Sequence, residues 1–317
     1  MTKHHFIPRS YLAGFTTSGK KDDRLWVLDQ ETGKQWPGKP NTVAFQHDLY
    51  IIENADDKEI PPNALEQEFG NTIENKVAPI IKEITIKGRL PVGEEFVELM
   101  KFIALLFART PSHRETLEKP LKEVGELILH EILATPERYK NTIEKMRKDG
   151  FEINEEAGYE DMKAFIRNGN YDICVNQNFY LKLLLHSANI IAPLLMERKW
   201  SLVITDDKFG GFICSDNPVS LVWTVPMPPF YSPGFGMLNT EITVPLSKNF
   251  ALIGRFEGEA QVGLATKKTV ASINSRTGMY SKRFVYSAKK DFIWINKNGQ
   301  ISTTADLIKA IQKKISR

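Results

Sequence analysis

The chain has 317 residues, 42% of them hydrophobic, enough to bury a sizeable core and to exclude a disordered tail or a minimal scaffold. Its 42 Lys and Arg nearly balance 39 Asp and Glu, and a formal charge of +3 excludes wholesale attraction to nucleic acid or membrane while leaving room for a local basic patch. Two cysteines, Cys174 and Cys214, stand far apart outside any CxxC pair, so neither a disulfide framework nor a structural zinc site is indicated.

The first residues lack an apolar signal region, and His4 and His5 stand side by side among only six histidines. Pro8 pushes Ile7 toward extended geometry, which predicts an extended histidine segment followed by a short helix that turns Tyr11, Leu12 and Phe15 inward. Arg24–Asp29 and Glu31–Trp36 read as a β-hairpin with Gly33 in the turn. Pro40 to Ile52 reads as an irregular crossing that ends in a short strand at Leu49–Ile52. Asn63 is placed to cap a helix running to Ile84, and Gly93-Glu94-Glu95 to open another whose Phe96, Leu99, Met100, Ile103, Leu106 and Phe107 recur at helical spacing.

Further helices are expected at Pro120–Leu133, Pro136–Lys148, Glu160–Asn168 and Asn176–Glu197. After Trp200 the period shifts toward two, which predicts strands at Trp200–Thr205, Gly211–Ser215, Thr240–Pro245, Phe250–Phe256 and Phe284–Ser287. A helix at Thr266–Tyr280 interrupts them, Asp306–Ile315 closes the chain, and Pro226–Gly236 reads as an ordered loop. The most hydrophobic helical stretch, Phe96 to Ala108, is short and interrupted by Glu98 and Lys101, so the expected protein is cytoplasmic with no membrane contact. The expected fold class is α+β: an antiparallel or mixed sheet built from the N-terminal hairpin (1–52) and the strand-rich part (200–317), with a large helical block (63–197) inserted, all in one domain over 1–317.

His4-His5-Phe6-Ile7-Pro8, Arg109-Thr110-Pro111, the Trp200 strand, Ser215-Asp216-Asn217-Pro218 and Pro245-Leu246-Ser247, in this order and spacing, resemble domain-of-unknown-function family 4238. The resemblance spans most of the chain. It implies a shared architecture and no particular reaction.

Imidazoles bind metals or move protons near neutral pH, which makes His4 and His5 candidate catalytic groups; side chains alternate along an extended chain, so one of the two is expected to enter a given site. Asp216 at a strand end, with Asn217 beside it, is a candidate catalytic or metal-binding carboxylate, the alternative being a turn that satisfies nearby backbone. Arg9, Arg109 and Arg114 are candidate anion clamps, with helix-end complementation the blander role. Asn274 is a candidate substrate contact, with Arg276 on the same helix. Asn41 and His47, next to Asp48, loosely resemble the later ligands of a His-Asn-His nuclease motif, giving a candidate divalent-metal set of His5, His47 and Asp216.

Glu66, Glu68 and Glu74 read as a solvated helical face. Gly210-Gly211 is no phosphate loop, and no GxSxG elbow is present. The function expected from these residues is metal-assisted hydrolysis of phosphodiesters, with nucleic acid or a nucleotide as candidate substrate. Its rivals are a non-enzymatic nucleotide or nucleic-acid binding module, and a fold in which the His-His and Ser-Asp-Asn-Pro motifs only staple the structure. The hydrolase expectation requires His5→Ala and Asp216→Ala each to abolish cleavage without unfolding the chain.

Overall fold

Pro8 decides how the chain begins. In the computed structural model, which describes residues 2–53, 61–153 and 158–315, Pro8 holds φ at −57° and caps a short helix. Before it runs β1 (Lys3–His5) and after it α1 (Arg9–Leu12), whose Tyr11 and Leu12 are buried. The hairpin follows as β2 (Leu25–Asp29) and β3 (Gln35–Gly38), paired antiparallel, with Gly33 at φ 68° in its turn. The next strand is β4 (Phe45–His47), antiparallel to β1 with Lys3 opposite His47 and His5 opposite Phe45. No strand forms at Leu49–Ile52. Asp48 at φ 56° turns the chain there, its carboxylate accepting the Thr2 N–H at 2.7 Å, while Leu49 and Tyr50 go into the core as loop.

The helix expected from Asn63 to Ile84 is a compound one. It runs as α2 (Ala64–Glu68), a π-helical turn at Phe69–Glu74, and α3 (Asn75–Lys87), ended by Gly88 in the left-handed region. Next comes α4 (Glu94–Ala108), with Glu94 and Glu95 in its first turn and Leu99, Met100, Ile103 and Leu106 buried. The chain continues through α5 (Pro111–Ile132), α6 (Pro136–Lys148), α7 (Tyr159–Arg167) and α8 (Gln177–Met196). Among the described residues α8 is the one helix long and apolar enough to cross a membrane, by length and composition alone. Its Leu184 and Leu195 are fully buried in the protein.

The strand-rich part follows as β5 (Lys199–Ile204), β6 (Cys214–Ser215), β7 (Ser220–Trp223), β8 (Thr240–Ser247), β9 (Phe250–Arg255) and β10 (Val262–Leu264). It is completed by α9 (Lys267–Tyr280), β11 (Phe284–Ser287), β12 (Ile293–Ile295), β13 (Ile301–Thr303) and α10 (Thr304–Ile315). The class is α+β. One sheet has the order β10-β5-β9-β8-β7 and is mixed, since β10 runs parallel to β5; the other, β3-β2-β11-β6, is antiparallel and joins the N-terminal hairpin to late strands. The strands β10, β12 and β13, three residues each, are too short to show an alternating pattern, and the expected strands include neither them nor β7.

The described residues form two compact units, one of 1–114 with 181–317 and one of 115–180. In the larger unit Val270 and Ile273 of α9 pack on Phe212 and Ala251, while Leu28, Ile213, Val285 and Phe292 form a second core cluster joined by Leu307 and Ile308 of α10. In the smaller unit Tyr159 donates to the Leu133 carbonyl at 3.0 Å, and the described residues of α5 and α6 bury no side chain fully.

Candidate functional site

Antiparallel pairing of β1 with β4 sorts the histidines onto two faces. Lys3, His5, Phe45 and His47 share one face, and His4 points to the other. His4 is fully buried, its ring stacked on Tyr50 at 5.5 Å, and its Nδ1 accepts the Tyr50 backbone N–H at 2.8 Å. An accepting Nδ1 carries no proton, so the neutral ring bears its proton on Nε2, which is buried without a hydrogen-bond partner. His4 therefore offers a donor and no free lone pair, which rules it out as a metal ligand in this orientation.

His5 leaves its Nε2 equally unpartnered. Burial, then the nearby Arg9, Arg109 and Lys3 charges, push its pKa down to about 4, with the Asn41 carbonyl pulling the other way. At neutral pH this imidazole is uncharged. His47 lies on the same face but is exposed, and the Phe45 ring stands between the two, 5.8 Å from His5 and 5.6 Å from His47.

Arg109, at the end of α4, is the hub. It is 1% exposed, and its guanidinium donates through Nε to the Tyr50 hydroxyl at 3.0 Å, through Nη1 to Glu74 at 2.8 Å and through Nη2 to the His5 carbonyl. The Tyr50 and Phe69 rings flank it at 5.3 and 5.0 Å. Burial alone would lower its pKa, but Tyr50 and Glu74 outweigh that and raise it. An arginine so engaged is a positioning charge, in place of the anion clamp or helix-end complement that the sequence suggests.

Glu66 and Glu74 correct a second expectation, because only Glu68 of the expected solvated face is exposed. Glu74, on the π-helical turn, pairs with Arg109, and π turns concentrate at functional sites. One oxygen of Glu66 is buried without a partner, and burial raises its pKa, with Glu74 adding to the rise and Arg109 and Arg9 opposing it. Helical spacing alone could not reveal this, since the partner arginine lies 35 positions further along.

The Pro245-Leu246-Ser247 segment is tied to the same region. Tyr11 donates to the Pro245 carbonyl, Lys248 donates to the Gly14 carbonyl at 2.9 Å, and a Cβ on Gly14 would lie 3.0 Å from the Leu246 oxygen. The sequence profile of the family described as Protein of unknown function (DUF4238) matches residues 3–291. The chain belongs to the DUF4238 family. No curated protein and no solved structure matches it.

In this DUF4238 chain the Ser-Asp-Asn-Pro segment does not join the histidines. Asp216 accepts the backbone N–H groups of Lys282, Arg283 and Phe284 at 2.7 to 2.8 Å, which uses both carboxylate oxygens to clamp the start of β11. Burial pushes its carboxyl up against the pull of those bonds. Of the two readings offered by the sequence, an accessible strand-end carboxylate and a turn that satisfies nearby backbone, the structure has the turn. Asn217 donates to the Tyr280 carbonyl at 3.0 Å, leaving its Oδ1 buried and unpartnered.

Asn274 accepts from the Ile213 N–H and donates to the Gly211 and Ile293 carbonyls, so it joins three segments and has no amide hydrogen left for a substrate. Arg276 pairs with the buried Glu241, as does Arg255. Arg9 is exposed beside His5, and Arg114 is half-buried in the first turn of α5. The candidate site that the geometry assembles is therefore His4, His5, Arg9, Glu66, Glu74 and Arg109, with Tyr50 beneath. The proposed metal set of His5, His47 and Asp216 does not fit a metal centre, because Asp216 has no free oxygen; among the described residues no three His, Cys, Asp or Glu side chains lie close enough to hold an ion.

Proposed function

We propose that the cluster around Arg109 is the catalytic centre of a hydrolase acting on phosphodiesters, with nucleic acid the candidate polymer. One observation carries this reading: a neutral imidazole and a carboxyl of raised pKa share Arg9 and Arg109 as charged neighbours, and each leaves a buried polar atom without a partner. Groups whose environments push their pKa values apart are suited to be base and acid in one reaction. His5 Nε2 takes a proton from water, the resulting hydroxide attacks phosphorus, the bond to the leaving oxygen breaks, and Glu66 gives that oxygen a proton. Arg9 and Lys3, exposed beside His5, attract the anionic diester.

No step is routed through a metal, since the donors present do not form a set for one. Added Mg2+, Mn2+ or chelator in the same assay tests whether a divalent ion contributes. The assay uses bis(4-nitrophenyl) phosphate and single-stranded DNA with the intact chain. His5→Ala and Glu66→Gln are each expected to lower turnover at least 100-fold with unchanged circular dichroism, while His47→Ala leaves it within two-fold. Turnover that survives His5→Ala rejects the reading.

A non-enzymatic anion-binding module is the second reading, favoured by the exposed cations Arg9 and Lys3 beside His5. Salt-sensitive binding of single-stranded DNA without cleavage in any ion would select it.

A further inference from the structure

Between α9 and the β12–β13 hairpin the larger unit has a half-open cavity of about 380 Å³, lined by none of the residues of the histidine cluster. Ile213, Val285 and Phe292, all members of a buried core cluster, line it together with Trp294, Ile295 and Met279. The volume falls in the range of small-molecule sites, roughly 300–1,000 Å³, and the lining is mainly apolar.

Several polar groups on its wall are already bonded inside the protein. The Asn274 side chain bonds Gly211, Ile213 and Ile293, the Trp294 N–H goes to the Thr303 carbonyl at 2.8 Å, and the Ser275 hydroxyl accepts the Ile295 N–H at 2.6 Å. A mainly apolar wall of this kind rewards an apolar occupant that covers it. Gly278 is a second, independent sign. It sits inside α9 at a backbone geometry any residue adopts, it lines the cavity, and a Cβ added there would meet nothing within 4 Å. Glycine inside a helix costs stability relative to alanine, and here the missing side chain leaves the hollow open. Lys297 is the single charged residue among those that line it.

We propose that this cavity binds a medium-chain fatty acid, its alkyl chain against Phe292, Trp294 and Met279 and its carboxylate at Lys297. The site stands apart from the proposed hydrolytic centre and does not depend on it. Calorimetric titration of the intact chain with decanoate, below its micelle concentration, should show one site. Gly278→Phe, which fills the hollow, should weaken decanoate at least ten-fold, whereas Gly278→Ala should leave it unchanged. Lys297→Ala should weaken decanoate about ten-fold without affecting decanol.

A brominated decanoate should quench Trp294 fluorescence in the unmodified chain, and Trp294→Phe should remove that quenching, a readout that holds even where Gly278→Phe fails to fold. Absence of saturable decanoate binding, binding undiminished in a folded Gly278→Phe chain, or quenching that persists in Trp294→Phe would overturn the site. Decanol binding as tightly as decanoate would overturn the carboxylate contact.

Discussion

Replacing Arg109 by Met would strip Tyr50, Glu74 and the His5 carbonyl of their shared donor and leave the Glu74 carboxylate half-buried without its cation. Breaking a buried ion pair from one side costs about 3–5 kcal/mol, so urea denaturation of Arg109→Met should show a loss of that size. The histidines give a pH signature. His5 and His113 are both held near pKa 4 in the folded chain by burial, against about 6.5 when unfolded, so the unfolded state binds the extra protons. The His4 pKa is lowered by burial too, so stability is complete above about pH 6.5 and declines as pH falls toward about 4, with up to about three protons taken up on unfolding in that window. Urea midpoints measured from pH 4 to 8 should follow this slope, and His113→Gln should make it shallower. The paired histidines and Arg109 were legible in the sequence as residues of interest. Their roles were not, because His4's tautomer depends on the Tyr50 N–H and Arg109's engagement on Glu74, contacts that join distant positions.

Gly211 marks where a turn sets the geometry of β6. Its φ is +80° and a Cβ there would lie 2.6 Å from the Lys248 carbonyl oxygen, whereas Gly299, at φ +75° in the β12–β13 turn, faces open space. Gly211→Ala should cost about 3 kcal/mol and Gly299→Ala only about 1 kcal/mol, a contrast that thermal unfolding of the two variants will read. The hairpin, α4, α8 and the strands β5, β8, β9 and β11 were legible because each carries a sustained period or a turn glycine. The break at Asp48 was not, since a left-handed aspartate has no signature apart from its bond to Thr2. Of the two readings the sequence offers for Asp216, a reactive carboxylate and a turn that satisfies nearby backbone, its bonds match the turn, which clamps β11. Asp216→Ala would orphan the N–H groups of Lys282, Arg283 and Phe284, and the expected result is a lower melting temperature rather than a specific loss of turnover.

Sheets that draw strands from both ends of the chain explain why the family profile reaches from residue 3 to residue 291. That convergence was legible from two strand-rich regions flanking a helical one. The division into units was not, because α2 to α4 belong with the sheets and carry the same helical periodicity as residues 115–180. The smaller unit buries few apolar side chains, so hydrogen exchange should be faster across 115–153 than in β8 and β9, as mass spectrometry of exchanged peptides will show. The most direct test of the proposed chemistry is the pH dependence of kcat/KM for bis(4-nitrophenyl) phosphate in the unmodified chain and in Glu66→Gln. A bell is expected, with an acid limb near pH 4 from His5 and an alkaline limb from Glu66 that disappears in Glu66→Gln. An alkaline limb unchanged by that substitution, or no turnover at any pH, would contradict it.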